Sequence, residues 1–289
     1  MSAPTLAFGA SGKFAGAIVR ALAARGALVR GFVKSVEDAE TACANGADEI
    51  AMGDLADRDS IDRALLGVAR VFYIAPAFLE NEGKIGRDVV EACVAAGVER
   101  FVFSSVIHPV LSEPSNHAAK APVEEAVIDS GMDYTLLHPA LYFQNYAQSW
   151  PKVVETGTFA EPWSCDTRFS RVDFRDVADV AAMALTEDRL LNGTFELCSD
   201  GWLDRQAVAA LMSEAVGRPV NAARADPATL GKEAAAMRPM FEHYDRVGLR
   251  GNGLTLRAIL DREPRTLRAY FGELAAGEEG RRCNEGQLI

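Results

Sequence analysis

The chain lacks most of what would mark a membrane, metal or nucleic-acid protein. Its 289 residues contain no apolar run near the roughly eighteen needed to span a bilayer. Cysteine is sparse: Cys43, Cys93, Cys165, Cys198 and Cys283 are odd in number and widely spaced, with no Cys-x-x-Cys. That pattern argues against a zinc knuckle or a disulfide framework and suits free thiols in a reducing cytoplasm. His108, His117, His138 and His243 show no metal-ligand spacing, so no metal is expected. Positive charge is also short, 30 Lys and Arg against 41 Asp and Glu for a net charge of −11. No basic stripe is present, and nucleic acid is not an expected partner. Met1–Thr5 has neither a basic n-region nor a cleavage site, so no signal peptide is expected. There is no internal repeat and no low-complexity linker.

What is present is an alternation of strand and helix. Thr5-Leu6-Ala7-Phe8 is a short apolar run that reads as a buried strand. Apolar residues at Phe14, Ala17, Ile18, Ala21 and Leu22 predict a helix over 14–25, closed by Gly26. Further strands are predicted at 27–33, 49–52, 70–75, 101–104 and 134–137, with helices at 58–66, 82–96 and 121–130. Gly97 and Gly131 close the last two helices. Uniformly apolar strands joined by helices predict a Rossmann-type, doubly wound parallel sheet with helices on both faces. Beyond 137 the rhythm changes. A helix is expected over 141–154, another from 173 or 174 to 185, a strand at 194–197 and a helix at 203–216. Helical segments at 227–247 and 265–274 follow, then a frayed, flexible tail at 275–289. The expected division is a dinucleotide domain of residues 1–140 with 170–197 returning to it. A smaller, mainly helical substrate region takes 141–169 and 198–274.

The chemistry enters at Gly9-Ala10-Ser11-Gly12-Lys13-Phe14-Ala15-Gly16. The loop follows a strand directly and opens a helix directly. Gly9 permits a tight turn, Gly12 lets backbone N–H groups approach a pyrophosphate, and Ala15 and Gly16 are small where helix meets strand. The helix N-terminus adds partial positive charge. An ordinary strand–turn–helix connection is the plainer alternative. An NAD site usually ends its second strand with an acid for the ribose hydroxyls. Here Gly31-Phe32-Val33-Lys34-Ser35 ends in a cation. Lys34 suits a 2′-phosphate as a point charge, and NADP(H) is therefore expected over NAD(H). The plainer reading of Lys34 is a solvated loop lysine.

Several segments in order resemble the NmrA-like family of atypical short-chain dehydrogenases/reductases. They are the Gly9–Gly16 loop, Gly53-Asp54-Leu55, Gly97 to Ser105, Lys120 with Val123-Glu124-Glu125, Ser130 to Pro139, and Asp173 to Ala178. The resemblance implies that Asp54 and Leu55 flank an adenine and that Ala75 and Pro76 line the cofactor channel. It implies that Ser104 and Ser105 lie below the nicotinamide, that Lys120 contacts its ribose, and that Pro139 to Leu141 border the ring. Lys34 stands where the family has an arginine for the 2′-phosphate.

One departure concerns proton transfer. Short-chain dehydrogenases use Tyr-x-x-x-Lys, with the tyrosine as acid or base. Asn116 stands four residues before Lys120. In a related branch the resemblance implies that the lysine alone transfers the proton; among NmrA-like regulators the missing tyrosine goes with cofactor sensing. The expected function is thus an NADPH-dependent reductase of a small apolar or aromatic acceptor such as a carbonyl or quinone. Lys120, Ser105 and Tyr142 are the catalytic candidates, and Phe78, Tyr142, Phe143, Tyr146 and Trp163 are the substrate candidates. These aromatics serve equally as core. Tyr142 and Tyr146, one helical turn apart, are candidate replacements for the missing phenol. His117 is a weaker candidate for a proton relay, and His138 reads as a satisfied strand-end histidine. The alternative function is a non-catalytic NAD(P) sensor acting through a protein partner. An epimerase or dehydratase fits least without Tyr-x-x-x-Lys. A small-molecule substrate, a homodimer and a cytoplasmic location complete the expectations.

Overall fold

A computed structural model of the protein describes residues 3–76, 79–199, 201–226 and 237–285. The chain forms two units, Met1–Pro139 with Phe174–Glu196, and Ala140–Asp173 with Leu197–Ile289.

The first unit is the alternating α/β fold. Its elements are β1 (Thr5–Phe8), α1 (Lys13–Ala24), β2 (Val29–Val33), α2 (Val36–Ala44), β3 (Glu49–Met52), α3 (Arg58–Ala64) and β4 (Arg70–Tyr73). They continue with α4 (Glu82–Ala95), β5 (Arg100–Ser104), α5 (Ser115–Ala118), α6 (Ala121–Asp129) and β6 (Asp133–Pro139). Strands β1 to β6 pair in parallel, as in Thr5 opposite Val29 on one side and Arg70 on the other. β10 (Gly193–Leu197) completes a seven-stranded sheet of order β10-β6-β5-β4-β1-β2-β3. The strand order reverses at β1, which lies between β2 and β4; a crevice opens there at the carboxyl ends of the strands.

The strands are apolar because both faces are covered. Leu6, Phe8, Val71, Tyr73, Phe101 and Phe103 share one cluster with Ile61, Val89, Val90 and Val123 from the helices. α8 (Phe174–Thr186) also belongs to this unit, and its first residue, Phe174, meets Phe14 of α1 edge-on at 5.3 Å between centroids. The sequence reading passed over α2, whose apolar spacing is weak. Its start is set instead by Ser35, whose hydroxyl accepts the Asp38 N–H, with Glu37 and Asp38 in the first turn.

The second unit differs from expectation in three places. The segment predicted as one helix over 141–154 is a two-residue strand, β7 (Leu141–Tyr142), a 3-10 turn at Phe143–Asn145, and then α7 (Tyr146–Thr156). β7 is extended because it pairs with β9 (Arg171–Val172). A second pair, β8 (Thr158–Glu161) with β11 (Asn221–Arg224), was not foreseen, since four residues without alternation carry no strand signal. Of the flexible tail expected over 275–289, residues 275–285 are helical, and 286–289 lie outside the described residues. After α9 (Arg205–Val216), α10 (Arg238–Val247) and α11 (Leu254–Leu260), the last helix α12 runs from Leu267 to Glu285. Leu267, Tyr270 and Phe271 anchor it in a core with Phe143, Tyr146, Trp150, Phe159, Val208 and Met212. The predicted helix over 227–247 is found as α10; positions 227–236 lie outside the described residues.

Among the described residues no helix is long and apolar enough to cross a membrane. Among them, too, no group of three His, Cys, Asp or Glu residues stands where it could hold a metal ion.

Candidate functional site

The Gly9–Gly16 loop sits at the sheet's switch point, between β1 and α1. Gly9 has φ of +69°, a conformation that costs glycine nothing and other residues more. Its N–H donates to the Phe32 carbonyl at 3.0 Å, and the Gly12 N–H donates back to the Gly9 carbonyl at 2.8 Å, closing the turn. A Cβ on Gly12 would meet that same carbonyl at 3.1 Å. Beyond the loop, Asn45 donates to the Ala10 carbonyl at 3.1 Å and takes a bond from Arg20. A Cβ on Gly16 would overlap the Asn45 amide, so glycine there makes room for the strut that braces the loop.

The start of α1 carries neither a side-chain cap nor an acid in its first turn, whereas α2 and α3 are capped by Ser35 and Asp57 and have acids there. An uncapped helix start behind a glycine turn is suited to an anion. This is the observation on which a dinucleotide pyrophosphate fits. Lys13 lies beside the Phe14 ring, 5.9 Å from its centroid, and partial burial lowers its pKa.

Lys34 and Asp54, both expected to meet cofactor, meet each other: Lys34 Nζ lies 2.7 Å from Asp54 Oδ2. The Ala56 N–H and Lys34 together hold the Asp54 carboxyl below the usual range, and Lys34 is raised in turn by Asp54. Asp38 is also held low, by hydrogen bonds from Ser35 and from Ser11 of the loop. Leu55 packs on the sheet core. Ala75 is buried and Pro76 exposed just after β4. Phe78 lies outside the described residues.

Further along the same sheet, Lys120 is only 9% exposed and its ammonium is paired with Glu82, itself 5% exposed on α4. Tyr73 lies near enough to Glu82 to feel its charge. Burial first, and Glu82 second, push the Tyr73 phenol well above its ordinary range, and its hydroxyl has no partner. Ser104 Oγ, at 1% exposure, is likewise without a partner. Ser105 donates to Glu124 of α6, and His138 Nε2 stands 3.0 Å from the same carboxylate oxygen. Pro139 ends β6 and is buried, its carbonyl taken by the Ile107 N–H at 3.0 Å. His117 is fully buried with Nδ1 3.2 Å from the His108 carbonyl. The sequence reading missed Glu82 and the role of Glu124. Glu124 stood inside a quoted motif, but nothing in local spacing says that Glu82 meets a lysine 38 residues away.

The remaining candidates belong to the second unit. Leu141 and Tyr142 form the half-buried β7. Phe143 and Tyr146 are core residues. The Tyr146 ring packs edge-on against Phe159 and Phe271, its hydroxyl accepts from Arg171 Nε, and burial raises its pKa. A phenol so held is not a free acid. Trp163 packs on Phe169, Phe241 and Tyr244.

Comparison with known proteins gives the wider setting. The NmrA-like family matches residues 2–270. An NAD(P)H azoreductase of Xenophilus azovorans is 29% identical over 216 residues, 74% of each chain. Quinone oxidoreductase 2 of Escherichia coli K12 is 27% identical over 171 residues, 59% of each chain. The solved structure of that bacterium's NADPH-dependent quinone oxidoreductase in complex with NADPH superposes with a TM-score of 0.83 at 23% identity, covering 93% of this chain and 99% of the other. The Citrobacter sp. triphenylmethane reductase complexed with NADP(H) gives 0.83 at 20% identity, covering 94% and 99%. At these identities the structures establish the Rossmann-type fold.

Proposed function

Because the chain belongs to the NmrA-like family, we propose that it is an NAD(P)H-dependent reductase of a small apolar or aromatic acceptor. The observation that carries this reading is Lys120, an ammonium held by Glu82 in the interior of the dinucleotide unit. A buried ion pair is a poor source of net stability, since desolvation offsets attraction. A chemical role accounts for its presence better than stability does. The names of the relatives, an azoreductase and a quinone oxidoreductase, point the same way.

Gly9, Ala10, Ser11, Gly12, Lys13 and Phe14 would hold the pyrophosphate at the start of α1. Asp54 and Leu55 would border the adenine, Ala75 and Pro76 the channel, and Ser104, Lys120 and Pro139 the nicotinamide end. A bound nicotinamide supplies the hydride. Lys120 holds a proton at Nζ and delivers it to the acceptor oxygen or nitrogen as the hydride arrives. Glu82 orients the ammonium, and solvent returns the proton. Ser105, fixed by Glu124, assists in orienting the acceptor. NADP(H) is the preferred cofactor in this reading because Lys34 is a cation at the end of β2.

The test titrates NADPH and NADH, then follows cofactor oxidation with quinones, azo dyes, triphenylmethane dyes and aromatic aldehydes. Removing Lys120 alone would strand Glu82 as a buried carboxylate, at about 3–5 kcal/mol. The informative variant is therefore Lys120→Met with Glu82→Gln. We expect turnover to drop by roughly 10²- to 10⁴-fold with cofactor binding kept. Unchanged turnover would remove Lys120 from the chemistry. Tight cofactor binding with no turnover on any acceptor would favour the sensor alternative, which the absent Tyr-x-x-x-Lys tyrosine supports.

A further inference from the structure

The second unit encloses a cavity of about 340 Å³, within the size of small-ligand sites. Phe143, Phe169, Leu203, Leu211 and Leu267 give it apolar walls, and Arg171 supplies a charge. Arg171 is 4% exposed and rigidly mounted on β9. Its guanidinium packs near the Tyr146 and Phe169 rings, at 5.8 and 5.6 Å from their centroids. Nε donates to the Tyr146 hydroxyl, and Nη1 donates to the carbonyls of Phe169 at 3.0 Å and Leu203 at 2.9 Å. These bonds leave Nη2 as the nitrogen with no hydrogen bond assigned to it.

Charge makes the arrangement informative. Among the described residues no carboxylate lies within ion-pair distance of Arg171. Glu161 is an acid whose charge reaches it, and that acid is shared: Arg205, with a side chain fully out of solvent, lies 3.6 Å from Glu161 Oε2. Two arginines against one glutamate leave a surplus positive charge in the interior even when Glu161 is ionised. Of the other arginines that line the cavity, Arg268 is paired with Glu214. An interior cation without its own counter-ion is expensive unless an anion completes it. The chain as a whole is strongly acidic, so this local excess is not a reflection of composition.

We propose that this cavity binds a small organic carboxylate with an aromatic or aliphatic body, its carboxylate on Arg171 and its apolar part against Phe169, Leu203 and Leu211. The site lies within the second unit and does not rest on the hydride-transfer reading. No proton or hydride is exchanged; the step is binding alone.

The experiment is calorimetric titration of the full chain, without cofactor, with 2-naphthoate and with its neutral twin 2-naphthamide. We expect the carboxylate to bind at least about tenfold more tightly, the scale of a charge-assisted pair. Arg171→Met should abolish that preference. Because Arg171 also ties β9 to Tyr146, a folded second variant is needed. Leu211→Trp fills the apolar end of the cavity and should abolish binding while leaving Arg171 in place. Equal binding of the two compounds, binding of neither, or naphthoate binding that survives Leu211→Trp would each overturn the proposal.

Discussion

Lys34, the cation proposed for a 2′-phosphate, forms an ion pair with Asp54. The protein thus carries its own competitor for that lysine. The pair is exposed, and exposed pairs of this kind contribute little. Asp54→Asn should release Lys34 and shift the NADPH-to-NADH affinity ratio upward by about two- to fivefold, while Lys34→Ala should bring the ratio down. Fluorescence titration with both cofactors measures it. A ratio that ignores Lys34→Ala would mean that the lysine is only a solvated partner for Asp54. The identity of Lys34 was legible in the sequence, and so was its place at the end of a strand. Its partner was not, because the pair joins two strands whose adjacency is a property of the sheet. The same limit hid Glu82 behind Lys120. Residue type and neighbourhood in sequence reveal a candidate; the group that sets its charge state arrives through tertiary structure.

At the scale of elements, the phosphate loop is held from both sides. Its own turn closes through Gly9 and Gly12, and Asn45 reaches across from the end of α2 to the Ala10 carbonyl. Gly12→Ala presses a methyl against the Gly9 carbonyl, and we expect cofactor affinity to fall by roughly tenfold, about 1.4 kcal/mol. Asn45→Ala removes a brace without touching the loop sequence. It should weaken cofactor binding in the same direction while the circular dichroism spectrum stays unchanged. If Asn45→Ala binds as tightly as the parent, the loop is rigid on its own. The six strands of the alternating region were readable as short apolar runs, and helices such as α4 and α6 were readable because each ends at a glycine that the chain needs at positive φ, Gly97 and Gly131; α2, with weak apolar spacing, was not. The short pairs β7–β9 and β8–β11 were not. Two to four residues carry no period, and their extended form is imposed by partners distant in sequence. The aromatic segment after Pro139 was read as one helix for the same reason, although extended pairing takes its first two residues.

At the scale of the whole molecule, stability should respond to acid in a direction set by its depressed carboxyls. Asp54 and Glu187 are held below their ordinary values, Asp54 by the Ala56 N–H and Lys34, Glu187 chiefly by Arg25. A carboxyl depressed by folding contributes stability that is present above its unfolded value and is lost as pH falls through its folded value. Thermal midpoints should therefore decline below about pH 4, and Asp54→Asn should flatten that decline. Thiol chemistry offers a separate check. Cys93 is fully buried and its pKa is pushed up by burial, whereas Cys43 is exposed. A thiol reagent should modify Cys43 in the native protein and reach Cys93 only on unfolding. Rapid native labelling of Cys93 would contradict the packing beneath α4. In the second unit, Gly248 has φ of +63° and ψ of −158°, and a Cβ there would run into the Arg168 backbone. Gly248→Ala should cost about 2–4 kcal/mol, read as a lowered unfolding midpoint.

The two units are interleaved along the chain, with crossings after Pro139, Asp173 and Glu196. During synthesis this order has a cost in time. By the time Pro139 leaves the ribosome, six parallel strands exist, but β10, which borders β6, and α8, which packs along α1, have not been made. At about 5–20 residues per second the nascent sheet waits several seconds with an open edge and an uncovered apolar face. Chaperone dependence should accordingly be greatest for chains arrested near residue 140, and should drop once the stretch through Glu196 has emerged.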